Sequence, residues 1–222
     1  MIYAENILIC IAVPYLVVLY FVRGKVRKFV LAFLFGMAAC LLSAYISAFL
    51  GEVAGLGEDT AVFLSPVVEE LMKFLPLLIY LYIFYPDEES FFLTAIAVGT
   101  GFATFENCCY ILTYGANRLS YIMIRGFSVG VMHIVSILML TLGLSVFRYF
   151  RSLSLPSIFG SLSLSVTFHG LYNLLVSGGG IFSAIGYLIP LLTAFICVFP
   201  YRMMRAIATK QKNAEQPEGL PY

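Results

Sequence analysis

The chain has 222 residues, 61% of them hydrophobic and 11% charged, with a formal net charge of +1. Soluble domains carry about 25% charged residues, so this composition and a mean hydropathy of +0.96 point to a lipid bilayer and exclude a separate soluble domain. Near-neutral charge gives no basic face to collect phosphates, which excludes nucleic acid as a partner. The five cysteines (Cys10, Cys40, Cys108, Cys109, Cys197) lie in apolar runs without a C-x-x-C pair. They read as small buried hydrophobes, and a disulfide framework or a structural zinc site is not expected.

Apolar runs of about 18 residues or more predict membrane-crossing helices. Seven are expected, over residues 2–22, 29–50, 61–85, 91–114, 121–147, 157–177 and 181–201. The first lacks a charged leader and a small-residue cleavage site, so it reads as a retained anchor. The fold class is therefore all-α, a polytopic bundle of about seven spans. Arg23, Lys25, Arg27 and Lys28 follow the first run, Arg148 and Arg151 the fifth, and Arg202, Arg205, Lys210 and Lys212 the seventh. Lys/Arg-rich loops stay cytoplasmic, which predicts an outside N-terminus and a cytoplasmic C-terminus. The opposite side then holds Glu52, Glu58 and Asp59, with Arg118 and Arg125 nearby. One bundle domain is expected over 1–205, followed by a short, frayed polar tail over 206–222.

Four of the runs contain residues that do not belong in lipid. The third holds Glu69, Glu70 and Lys73, the fourth Glu106 and Asn107, the fifth His133 and Ser136, and the sixth His169 and Asn173. A charge at mid-bilayer costs at least about 2.5–3.5 kcal/mol, so such groups face a bundle interior and usually mark function. Glu69 and Glu70 each lie within a turn of Lys73, and His169 and Asn173 are four apart, as are Phe102 and Glu106. Ser65-Pro66 reads as a helix start inside the third run, and Pro76 as a kink. At 1.5 Å per residue, Glu69, Glu106, His133 and His169 lie roughly 12, 10, 18 and 12 Å below the same, outer boundary. Matched depth from segments of opposite direction favours one shared site. Residue by residue, plainer roles also fit: an internal Glu70–Lys73 ion pair, and hydrogen-bond glue at Ser136 or Asn173.

A carboxylate beside a neutral histidine can take a proton from water and return it to a leaving amine. A second histidine and an asparagine on one helix face can donate to a tetrahedral oxyanion. With Glu69 as base, His133 orienting water, and His169 and Asn173 as donors, the set can hydrolyse a peptide bond without a covalent intermediate. The same types can bind zinc, since two histidines and one glutamate leave a fourth position for water; Glu70, Glu106, His133 and His169 are the candidate ligands. No H-E-x-x-H motif decides between these, and no G-x-S-x-G or Ser/Lys signature supports a serine protease.

Glu69-Glu70-x-x-Lys73, Gly101-Phe102-Ala103-Thr104-x-Glu106-Asn107, the His133 run and His169-Gly170-x-Tyr172-Asn173 together resemble the PrsW family of intramembrane proteases. The resemblance spans about Ser65 to Asn173. It implies a multi-pass protein of the bacterial plasma membrane that makes the first, extracytoplasmic-side cut in a membrane-anchored anti-sigma factor. It also implies distant kinship with CAAX-prenyl endopeptidases. Those place a histidine where this chain has Glu106, and PrsW proteins often carry aspartate where Asn173 stands. The division of labour between Glu69 and Glu70 stays open, with Lys73 as counter-ion and Glu106 holding the site or a metal. A proton-coupled transporter and a catalytically silent scaffold are the competing readings.

Overall fold

A computed structural model describes residues 3–115 and 118–215. It is a bundle of seven helices: α1 (Ala4–Phe21), α2 (Gly24–Ala54), α3 (Ser65–Phe84), α4 (Glu88–Tyr114), α5 (Leu119–Tyr149), α6 (Ser154–Ser177) and α7 (Gly180–Glu215). No strand occurs among the described residues. Each of these helices overlaps one of the predicted runs, with ends that differ by up to fourteen residues at α7. By length and composition α1, α2, α4, α5 and α7 can cross a membrane; α3 and α6 carry the polar residues of the third and sixth runs. The protein is an all-α membrane helix bundle. α7 continues to Glu215, past the point where the polar tail was expected to begin, and residues 216–222 of that tail lie outside the described residues.

α5 is central, packing against α4, α6, α7 and α3, while α2 packs most extensively on α4. Buried positions on α2 recur every three to four residues (Phe33, Gly36, Met37, Cys40, Ser43, Ser47, Gly51), which is the stripe of a one-sided helix. Two glycines make the α2–α4 seam possible. A Cβ on Gly36 would lie 2.1 Å from the Val98 carbonyl oxygen, and one on Gly101 would lie 2.0 Å from that of Phe33. Any side chain there would push the backbones apart, so small residues hold the contact. α1 buries none of its residues and leans on α2 and α4.

The connections follow local chemistry. α2 ends at Gly55 in the left-handed region, the usual C-terminal glycine. Asp87 caps α4 by accepting from the Ser90 amide at 2.9 Å and the Ser90 hydroxyl at 2.7 Å, with Glu88 and Glu89 in the favourable first turn. The third run is where expectation and structure part. Instead of one helix from residue 61, a 3-10 turn (Gly57–Asp59) and a π turn (Thr60–Leu64) lead into α3 at Ser65. Ser65 does not cap; the chain is already helical at Leu64 and Ser65, and the break is a change of hydrogen-bonding pitch just before Pro66.

Candidate active site

The site sits between α3, α4, α5 and α6, near the end of the bundle that carries the α2–α3, α4–α5 and α6–α7 connections. α6 contributes one face, Ser161, Ser165, His169 and Tyr172, all buried and spaced by about one turn. α3 contributes Glu70 and Lys73, both fully buried, and Glu69, whose side chain is 17% exposed. α5 brings His133 and Ser136, and α4 brings Phe102 and Glu106.

Lys73 organises the centre. Its ammonium donates to Glu70 Oε1 at 2.5 Å, Ser136 Oγ at 3.1 Å and His133 Nδ1 at 3.0 Å, and lies 4.8 Å from the centre of the Phe102 ring. All three ammonium protons are thereby engaged. An ammonium can only donate, so His133 Nδ1 carries the lone pair and its Nε2–H donates to Glu106 Oε2. Glu70 is saturated in turn. Its Oε1 also accepts from His169 Nδ1 at 2.7 Å, and its Oε2 accepts from the Ser165 hydroxyl at 2.7 Å. His169 donates from Nδ1 to Glu70 and turns Nε2 toward Glu69 Oε2, 3.8 Å away. The two imidazoles meet edge to face with centroids 5.2 Å apart.

Glu106 is the outer carboxylate. Its Oε1 lies 3.5 Å from Arg125 Nη2, Arg125 Nη1 donates to Asn107 Oδ1 at 2.7 Å, and Asn107 Nδ2 reaches the Gly126 carbonyl at 3.3 Å. The Arg125 guanidinium stacks 3.3 Å above the Tyr110 ring. Three carboxylates thus face two cations: Lys73 pairs with Glu70 and Arg125 with Glu106. Glu69 is left over. Its Oε2 is buried without a hydrogen-bond partner, a costly state unless a proton, a cation or a substrate group uses it.

Of the residues expected from the sequence, Glu69, Glu70, Lys73, Phe102, Glu106, His133 and His169 converge. Asn107 joins through Arg125. Asn173 does not touch the cluster; its amide donates to the Ala61 carbonyl at 3.0 Å. Two participants escaped the sequence reading. Ser165 lies four residues before His169, a spacing that put it on the same face. Arg125, expected near the outer end of the fifth run, lies in α5 on the Glu106 seam; two turns of helix separate it from His133.

The donor set also accommodates a metal. Glu69, His133 and His169 each offer one ligand atom, and these atoms lie within 4.8 Å of one another, although His133 would have to release Lys73 or Glu106 to use its own. The unpartnered Glu69 oxygen and His169 Nε2, with the other ring nitrogen fixed by Glu70, have the form of a carboxylate–histidine arrangement that could support a divalent cation. Glu70 and Glu106, candidate ligands from sequence, instead hold the histidines. Residues 24–201 match the family described as PrsW family intramembrane metalloprotease. No curated protein and no solved structure matches the chain.

Proposed function

The chain belongs to the PrsW family of intramembrane proteases, and from that premise we propose that it hydrolyses a peptide bond of a membrane-anchored protein, with Glu69 activating water. The observation that carries this is the asymmetry of the paired glutamates. Glu70 is spent on Lys73, His169 and Ser165, while Glu69 keeps a buried, unpartnered oxygen facing His169 Nε2. In this reading Glu69 takes a proton from the attacking water and delivers it to the leaving amine. Glu70 fixes the tautomer of His169, and Glu106 with Lys73 fixes that of His133. A cation such as zinc would be held by Glu69 and His169, with His133 joining once it releases Lys73 or Glu106, and would supply a water of lowered pKa and a polarised carbonyl there.

The orientation read from Lys and Arg would put this site in the outer half of a bacterial plasma membrane, within reach of an extracytoplasmic-side bond. A single-span anti-sigma factor is a fitting substrate. Co-expression with a panel of single-span proteins, read as truncation products, tests the proposal. Glu69→Gln should lower cleavage by roughly 10²–10⁴, the range of a lost general base; a variant that cleaves normally would sink the assignment, and uptake without cleavage would favour a transporter. A strong chelator separates the two chemistries. Loss of cleavage restored by zinc assigns a metal to Glu69, His133 and His169, and chelator-resistant cleavage leaves Glu69 as the sole activator.

A further inference from the structure

The stretch between α2 and α3 lies against the site and is weakly held. Gly55 and Gly57 have φ of 66° and 53°, angles that glycine adopts without strain. The 3-10 and π turns that follow bury none of their residues, and Phe63 is 63% exposed. π turns are rare and gather at functional sites, and a segment with little apolar burial opens at low cost. It touches α2 and α6 at three notable points. Thr60 packs on Gly51, where a Cβ would come within 2.4 Å of the threonine hydroxyl; the Val62 carbonyl lies 3.6 Å from a Cβ built on Gly170; and Asn173 Nδ2 donates to the Ala61 carbonyl.

The last contact has the chemistry of substrate binding. A membrane helix cannot be cut while its carbonyls are satisfied within the helix. It must unwind into extended main chain, and its freed carbonyls then need donors in the protein. Asn173 stands one turn beyond His169, about 6 Å along α6, and offers such a donor. It is occupied by a carbonyl of this chain.

Resting on the hydrolase reading above, we propose that Asn173 marks a subsite for the extended main chain of the substrate, and that the Ala61 carbonyl fills it until the Thr60–Leu64 turn withdraws. Asn173 therefore exchanges one backbone carbonyl for another. The glycines at 55 and 57 are the hinge, and α3 stays in place because Glu70 and Lys73 anchor it.

A disulfide that pins the turn tests this. An ideal Cβ at Gly51 lies 3.1 Å from Thr60 Cβ, a few tenths of an ångström inside disulfide spacing (about 3.5–4.5 Å). Gly51→Cys/Thr60→Cys, in a background with the native cysteines replaced by alanine, should lose cleavage when oxidised and regain it on reduction. Equal cleavage in both states overturns the proposal while leaving the hydrolase reading intact. Amide exchange supplies a second readout that needs no substrate. Asn173→Ala should speed exchange at residues 60–64 by roughly two- to tenfold, the worth of one hydrogen bond, with α5 unchanged. If the double-cysteine protein cleaves in neither state, or wild type shows no Glu69-dependent cleavage, exchange decides alone: unchanged rates overturn the hold by Asn173, and faster rates retain it.

Discussion

The same helices, α3, α4, α5 and α6, build two different interiors along their length. Toward the α3–α4 connection the interior is mainly hydrocarbon: Phe74, Leu77, Leu81, Phe91, Ala95, Val98, Ile137, Leu140 and Leu144 lie in one buried cluster, with Thr141 and the Ser145–Glu88 hydrogen bond as polar groups beside it. Toward the other end the corresponding positions are Glu70, Lys73, Glu106, His133, Ser136, Ser165 and His169. The change occurs within one residue on two helices, Lys73 to Phe74 and Ser136 to Ile137. Apolar packing tolerates substitution in proportion to the volume lost. A buried ionic network does not, because each removal strands a partner.

That contrast can be broken most forcefully at Glu70. Glu70→Gln leaves the Lys73 ammonium buried without its counter-ion, and thermal unfolding in detergent should show a loss of about 3 kcal/mol or more. Glu70→Gln/Lys73→Met should recover most of that stability yet stay inactive, because His169 loses the carboxylate that sets its tautomer. Recovery of cleavage in the double variant would show that Glu70 serves only the ion pair. In the apolar half, Leu140→Ala should cost about 2 kcal/mol through the cavity it leaves, with cleavage per folded molecule unchanged. A fall in turnover there would mean that the two halves are coupled.

The smallest effect is at the α4 cap, outside the spans. Burial raises the Asp87 carboxyl, but the Ser90 amide and hydroxyl bonds outweigh that and hold it below its usual value. A depressed folded-state pKa gives stability that is full above the ordinary aspartate range and lost as pH falls through the folded value. Asp87→Ala should therefore cost about 1 kcal/mol at pH 7. The gap to wild type should narrow as pH drops below about 4, and a gap that stays constant to pH 3 would refute the capping role.

Much of the site was legible because charge in an apolar run has so few permitted explanations. Glu70 and Lys73, three apart, form the internal ion pair that the spacing allowed, and Glu69, Glu106, His133 and His169, which the sequence grouped by expected depth, lie close together. Ser165 carries no signal of its own as a lone serine in an apolar helix; only a carboxylate from α3, 95 residues away in sequence, makes it part of the site. The partners of Arg125 were not legible because a long cation near a helix end ordinarily snorkels to the interface, whereas here Glu106, Asn107 and Tyr110 engage it.

The sequence by itself determined the membrane bundle, its helices and the identity of nearly every polar residue in the site, because helical periodicity and the cost of burying charge are local properties. Only the tertiary structure separated Glu69 from Glu70. Adjacent residues on one helix point about 100° apart, and which of the two meets Lys73, His169 and Ser165 depends on how α3 is rotated against α5 and α6. The tertiary structure also decided that Asn173 rests on a backbone carbonyl of the π turn, because that turn comes from a segment 112 residues away in sequence.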